Sequence, residues 1–236
     1  MARLRRQVRL VKATRAARRL LEALLAAIFP ADCCLCARPL PWRQEGGVCL
    51  PCWRSLPWTP GYRPGRGPLH ALIWAADYEG AVRRLVQGLK FEDMDYLAGP
   101  LGREASARLA PLVRHLGPDL VVAVPLHWWR RYRRGFNQAA LLAGSIARHG
   151  GLPVADRVLR RRRAGRRQLG LSRRERLRSL AGCYAARGAP LKGRTVLLVD
   201  DVTTTGATLE ACARELLRAG AARVVGCVLA RTPRND

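Results

Sequence analysis

From residue 71 onward the hydrophobic positions of the chain follow two alternating rhythms. Short apolar runs occur at Ala71–Tyr78, Leu120–Val124, Val196–Val199 and Val224–Leu229, the third rich in β-branched residues. They read as strands, and the continuous run Val196–Val199 as one covered on both faces. Between them the apolar residues recur at helical spacing over Glu79–Leu89, Leu97–Leu116, which closes near Gly117, and Asn137–His149. The same spacing returns after Thr208, where Leu209, Cys212, Ala213, Leu216 and Leu217 fall on one helical face. Two shorter strands are expected at Val158–Arg160 and Cys183–Ala185. Strands alternating with helices predict an α/β domain, residues 71–236, with a mostly parallel sheet flanked by helices.

The preceding residues read differently. Leu20, Leu21, Leu24, Leu25 and Ile28 share a helical face behind a basic stretch from Arg3 to Arg19, and Pro30 closes the segment. Residues 1–30 are therefore expected to form a basic amphipathic helix, suited to docking on the rest of the chain, on a partner, or peripherally on a membrane surface. A signal peptide is the rival reading, but Glu22 interrupts the apolar run and the basic part is long. A transmembrane span is excluded, because far fewer than about 18 consecutive apolar residues occur here. Residues 59–70, rich in Pro and Gly, are expected to be a linker.

Ahead of that segment, in residues 31–58, Cys33, Cys36, Cys49 and Cys52 follow the spacing C-x2-C-x12-C-x2-C. Two such knuckles present four thiolates, a set that suits tetrahedral zinc and leaves no open position for a substrate, so the site is expected to be structural. Two disulfides in an oxidising compartment are the competing reading. Cys34 interrupts the first knuckle and is an alternative ligand there. Cys183, Cys212 and Cys227 are isolated in apolar segments and are expected to pack as small buried residues.

Charge changes the picture of possible partners. The chain has 236 residues, long enough for one good core plus a small module, and carries 43 Lys and Arg against 17 Asp and Glu, a net charge of +26. Its lysines are Lys12, Lys90 and Lys192, so the positive charge is nearly all arginine. Codon bias can replace lysine by arginine, but it does not account for the scarcity of acids. A polyanionic partner, nucleic acid, nucleotide or anionic lipid, is the physical inference.

The densest candidate chemistry lies in Thr195–Thr208, TVLLVDDVTTTGAT. A buried strand delivers Asp200 and Asp201, and Thr203, Thr204, Thr205, Gly206, Ala207 and Thr208 then lead into a helix. Free N–H groups at a helix start, hydroxyls and a glycine suit a phosphate, while paired carboxylates suit ribose hydroxyls or a metal. Paired acids also follow strands in Walker B segments and receiver domains, but no GxxxxGK[ST] loop is present and the acids sit late in the chain. This segment resembles the phosphoribosyl-pyrophosphate motif of type I phosphoribosyltransferases.

Together with the cysteine quartet, with LKF at Leu89–Phe91, VPLH at Val124–His127, RGFNQA at Arg134–Ala139 and the spacing of Arg161, Arg163, Gln168, Leu171 and Arg176, it resembles the ComF family of competence-associated, phosphoribosyltransferase-like proteins. The chain departs from that family at Gly165–Arg167, where a threonine is usual, and at Ser179, where an asparagine is. The resemblance implies a type I phosphoribosyltransferase-like fold with a small N-terminal zinc-ribbon-like module built on the four cysteines. It implies that Asp200 and Asp201 hold the ribose hydroxyls or magnesium and that Thr203 to Thr208 hold the 5-phosphate. Pro125, Leu126, His127, Arg131 and Arg134 would form the pyrophosphate loop, and Arg161, Arg163, Gln168 and Arg176 a mobile loop that excludes water during transfer. The implied reaction is displacement of magnesium-bound pyrophosphate from C1 by a nitrogen nucleophile in a cytoplasmic protein. The zinc module or residues near Lys90 would recognise the acceptor. The alternative is a non-catalytic protein of DNA uptake that binds single-stranded DNA or partners in the competence machinery.

Overall fold

A computed structural model describes residues 32–40, 47–91, 94–126, 135–163, 173–188 and 191–233. The N-terminal helix expected at 1–30 lies outside the described residues. The chain divides into two compact units, Met1–Ser55 and Leu56–Asp236.

In the first unit, residues 33–38 fold back on themselves. The Cys33 N–H donates to the Arg38 carbonyl at 2.8 Å and the Ala37 N–H to the Cys33 carbonyl at 2.8 Å, with Asp32 bridging Pro39. Ala37 takes a left-handed conformation, φ 57°, to close this turn. A short helix, α1 (Leu50–Arg54), follows the second cysteine pair's first member, with Pro51 in its opening turn where a missing N–H costs nothing.

The second unit is built on a five-stranded sheet of order β1-β2-β7-β6-β3, comprising β1 (Trp58–Pro64), β2 (Ala71–Asp77), β3 (Leu120–Ala123), β6 (Thr195–Thr203) and β7 (Arg223–Arg231). Strands β2, β7, β6 and β3 run parallel, and β1 is antiparallel to β2. The expectation of a linker over 59–70 is corrected by β1. Pro60 and Pro64 cannot donate to a ladder, but an edge strand has only one neighbour to satisfy. Gly61 lies directly under the Trp74 indole, where a Cβ would collide with the ring.

The parallel strands are buried on both faces, as their continuous apolar runs require: Val196, Leu197, Leu198 and Val199 are all fully buried. On one face Leu72, Leu120, Val122, Leu198, Val224 and Val228 pack against Leu209, Cys212, Ala213 and Leu216 of α6 (Ala207–Arg218). On the other, α3 (Ala98–Leu116) and α4 (Gln138–Gly150) pack against each other and over the sheet. Helix α2 (Gly80–Phe91) connects β2 to this layer. Gly117 and Gly151 end α3 and α4 in the left-handed conformation that a C-cap favours.

The two short strands are real but belong to no parallel sheet. β4 (Leu159–Arg161) and β5 (Tyr184–Ala186) form a separate antiparallel pair that packs on α6, and α5 (Arg173–Ser179) lies between them in sequence. Cys183, Cys212 and Cys227 are buried as expected.

Candidate functional site

At the carboxyl edge of the parallel strands, the place where α/β sheets bind ligands, β6 extends farther than its apolar run. Asp200 and Asp201 lie within the strand, which pairs with β7 as far as Thr203 opposite Arg231. The apolar run alone puts the acids just beyond a strand ending at Val199. Backbone pairing to the carboxyl-terminal end of β7 carries the strand four residues further, a consequence of a neighbouring strand that local sequence does not reveal.

Both carboxylates are half-buried and engaged with their own backbone. The Asp201 N–H donates to Asp200 Oδ1 at 2.8 Å, and the Val202 N–H to Asp201 Oδ1 at 2.6 Å. Lys90, at the end of α2, places its Nζ 3.0 Å from Asp201 Oδ1. Burial, followed by repulsion from Asp201, pushes Asp200 up to about 7, against the opposing pull of Lys90 and Arg161. Paired carboxylate oxygens are hard donors that fit magnesium, a metal commonly held by one or two carboxylates together with substrate phosphates.

The strand then turns directly into a helix. Thr203 is buried, Thr204 is exposed, and Gly206 takes φ 85° as the N-cap of α6. That left-handed conformation is strained for any residue with a Cβ. Thr205 Oγ1 accepts from the Ala207 N–H at 3.4 Å. Thr204, Thr205, Gly206, Ala207 and Thr208 thus surround the start of a twelve-residue helix whose first N–H groups lack intrahelical acceptors. Thr203 belongs to the strand, and its carbonyl accepts the Thr232 N–H at 2.9 Å.

Next to β6, β3 delivers Pro125 and Leu126, both half-buried, at the same edge. His127, Arg131 and Arg134 lie outside the described residues. The far end of this connection is held by Asn137, which caps α4 by accepting the Ala139 N–H at 3.1 Å and donates its Nδ2 to the Val124 carbonyl at 3.1 Å. Gln138 does not cap; its Nε2 donates to the Leu89 carbonyl at 3.3 Å and so ties the end of α2 to the start of α4.

Arg161 is corrected from a loop residue to a strand residue. It ends β4, its guanidinium lies 5.4 Å from the Tyr184 ring centroid, and its Nε donates to the Arg163 carbonyl at 3.2 Å. Cross-strand pairing with Tyr184 supplies the partner, which no local pattern shows. Gln168 lies outside the described residues, and Arg176 falls in α5. Burial, with the nearby Cys212 next, raises the Tyr184 phenol above its ordinary range, and Asp200 adds to this. Two further groups at the edge escaped the sequence reading. Arg231 Nε donates to Asp77 Oδ1 at 3.1 Å and its guanidinium stacks 3.8 Å from the Trp74 ring centroid, while Thr59 Oγ1 donates to Asp77 Oδ2 at 3.1 Å. Only an arginine closing a strand hinted at this.

In the first unit the sulfurs of Cys33, Cys36, Cys49 and Cys52 all lie within 4.8 Å of one another, and Cys34 is not among them. Cys36 Sγ and Cys49 Sγ are 3.6 Å apart. Four sulfurs about 2.3 Å from a tetrahedral zinc stand about 3.8 Å from each other, so the spacing suits an ion and is too long for a disulfide. Burial opposes ionisation of Cys33, but N–H groups of Cys49, Leu35 and Cys36 aimed at its sulfur outweigh it and bring the thiol down to about 6. A sulfur that accepts several N–H bonds as a thiolate is prepared for a cation. The cluster could hold a metal such as zinc.

Residues 137–235, from the cap of α4 through β7, match the family of the phosphoribosyl transferase domain. The DNA utilization protein YhgH of Escherichia coli K12 is 35% identical over 224 residues, spanning 86% of this chain and 98% of that one. Competence protein F of Haemophilus influenzae is 32% identical over 152 residues, spanning 62% of this chain and 66% of the relative. The chain belongs to the ComF family. Its fold is that of a type I phosphoribosyltransferase with an N-terminal cysteine cluster. Among solved structures, TT1426 of Thermus thermophilus is 23% identical with a TM-score of 0.35, covering 57% of this ComF-family chain and 85% of that one. No helix among the described residues is long and apolar enough to cross a membrane.

Proposed function

We propose that this ComF-family protein binds phosphoribosyl pyrophosphate with magnesium at the carboxyl edge of its sheet and transfers the phosphoribosyl group to a nitrogen nucleophile. The observation that carries this reading is the continuous path from Asp200 and Asp201 on β6 into the Gly206-capped start of α6. That path puts two carboxylates and a helix N-terminus, groups suited to hydroxyls and to a phosphate, a few residues apart. In this reading Thr204 to Thr208 hold the 5-phosphate, and Asp200 and Asp201 hold the ribose hydroxyls. The connection leaving Pro125 and Leu126, with His127, Arg131 and Arg134, receives the departing diphosphate through bidentate guanidinium contacts. Magnesium, when bound, neutralises charge on the leaving diphosphate. Arg163, Gln168 and Arg176 belong to the segment that covers the site and keeps water from the reacting carbon, and Arg161 at the end of β4 anchors its start. Positioning and electrostatics supply most of the acceleration in such a scheme. Zinc in the cysteine quartet has a structural role, and the cytoplasm is where the phosphorylated ligand would be met.

Calorimetric titration of magnesium and phosphoribosyl pyrophosphate into the full chain tests the reading, followed by assays of pyrophosphate release with individual bases. Binding is expected in the wild type and absent in a folded Asp200→Asn, Asp201→Asn double variant. Equal affinity in that variant rules out the assigned site.

A second reading is favoured by the net charge of +26 and by the DNA utilization and competence names of the relatives. In it the basic surface binds single-stranded DNA or competence proteins during DNA uptake, and the phosphoribosyl pocket serves as a ligand sensor.

A further inference from the structure

Lys90 is one of three lysines in a chain with 43 basic residues, and among the described residues it pairs with Asp201 of the acidic pair. Its backbone is held in place, because Gln138 of α4 binds the Leu89 carbonyl immediately before it. The Lys90 and Asp201 side chains are 19% and 14% exposed. Behind Asp201, Leu89, Leu101, Leu142 and Leu229 close a small apolar pocket, so water screens this side of the carboxylate poorly. Asp201 Oδ1 already accepts the Val202 N–H, and Lys90 takes the remaining capacity of that oxygen.

We propose that Lys90 is an internal counter-ion that occupies the cation position at Asp201, so that divalent metal enters the acidic pair only together with an anionic phosphorylated ligand. This rests on the phosphoribosyl pyrophosphate reading given above. The ionised carboxylates of the pair attract a bare divalent ion, and an ammonium 3.0 Å from Asp201 cancels one unit of their charge. Magnesium dehydrates reluctantly and gains most of its protein affinity when phosphate oxygens join one or two carboxylates. A polyphosphate brings the negative charge that offsets Lys90, and the same ammonium attracts it. Free metal is rejected and the metal chelate is accepted by one residue.

The residue type suits this task. A guanidinium would grip Asp201 through a planar fork, whereas an ammonium is a compact charge with three donors on a flexible stem. It can keep one donor on Asp201 and turn another to an incoming oxygen. Lys90 therefore acts on the ligand both directly and through its hold on Asp201.

The test uses the full chain and two probes: manganese alone, followed by electron paramagnetic resonance, and magnesium with phosphoribosyl pyrophosphate, followed by calorimetry. Lys90→Met should bind manganese about tenfold or more tightly than the wild type, while its affinity for the magnesium ligand falls by about tenfold. Opposite changes toward a cation and an anion are not produced by a merely loosened fold. Lys90→Arg, which keeps the charge, should exclude manganese as the wild type does. Circular dichroism checks the fold, and Lys90→Gln replaces the methionine variant if that one does not fold. Unchanged manganese affinity in a folded neutral variant overturns the proposal. A wild type that takes no phosphoribosyl pyrophosphate sinks the proposed function alone, and the manganese comparison then still decides the role of Lys90.

Discussion

Asn137→Ala probes how the edge of the sheet is held open for a ligand. The Asn137 side chain makes two bonds: its oxygen accepts the Ala139 N–H at 3.1 Å, and its nitrogen donates to the Val124 carbonyl at 3.1 Å. Loss of an N-cap costs about 1 kcal/mol. Loss of the second bond leaves the Val124 carbonyl short of a partner and adds about 1 kcal/mol. In a unit of this size each kcal/mol lowers Tm by about 2–4 °C, so the variant should melt about 4–8 °C below the wild type. Asn137→Asp separates the two bonds, because a carboxylate caps well but cannot donate to Val124; about half the loss is expected. The side chain also pins both ends of the connection that leaves Val124. Affinity for magnesium with phosphoribosyl pyrophosphate should therefore fall in both variants, while ribose 5-phosphate, which needs only the acidic pair and the turn before α6, should bind almost as before. Thermal unfolding and calorimetry read these effects. An unchanged Tm in Asn137→Ala, or an equal loss of both ligands, refutes the reasoning.

The cysteine quartet should carry one zinc per chain, measured by atomic emission on protein kept in reducing buffer, and chelation should unfold the small unit because metal binding and folding are coupled. Disulfides mapped between these cysteines by mass spectrometry would count against it. Asp200 titrates at about 7 in the folded chain against an ordinary 3.8, so the folded state holds the proton more tightly than the unfolded one. Its contribution to stability is therefore full at acid pH and declines as pH rises toward 7, while affinity for the magnesium ligand rises as the pair ionises. Denaturation of wild type and Asp200→Asn across this range should show the slope disappear in the variant, and a slope that persists unchanged would assign it elsewhere. If the basic segment contacts nucleic acid, affinity for single-stranded DNA should fall steeply with salt, and replacing Arg161, Arg163, Arg166 and Arg167 by Gln should flatten that dependence. Binding with the same slope would move the contact to another surface.

The order of strands and helices was legible from residue 71 onward because a buried strand and an amphipathic helix each impose a period on the local chain. Ala71–Asp77, Leu120–Ala123 and Arg223–Arg231 lie close to the apolar runs that announced them. The helix that places Leu209, Cys212, Ala213 and Leu216 in the core was legible for the same reason. Pro60, Gly61 and Pro64 were misleading, since composition cannot distinguish a linker from an edge strand that needs one partner only. The convergence of four sulfurs agrees with the spacing of the two CxxC pairs, which by itself also allowed two disulfides or Cys34 as a ligand.

What the sequence determined by itself was therefore the chemistry available: two adjacent acids, a hydroxyl-rich turn with one glycine, and paired cysteines, each set by residues close together in the chain. The tertiary structure decided who meets whom. β6 reaches Thr203 because β7 pairs with it, Lys90 meets Asp201 across more than a hundred residues, and Arg161 meets Tyr184 through a strand pair. Those contacts depend on sheet register and helix placement, which arise from burying the whole core at once, and no local period encodes them.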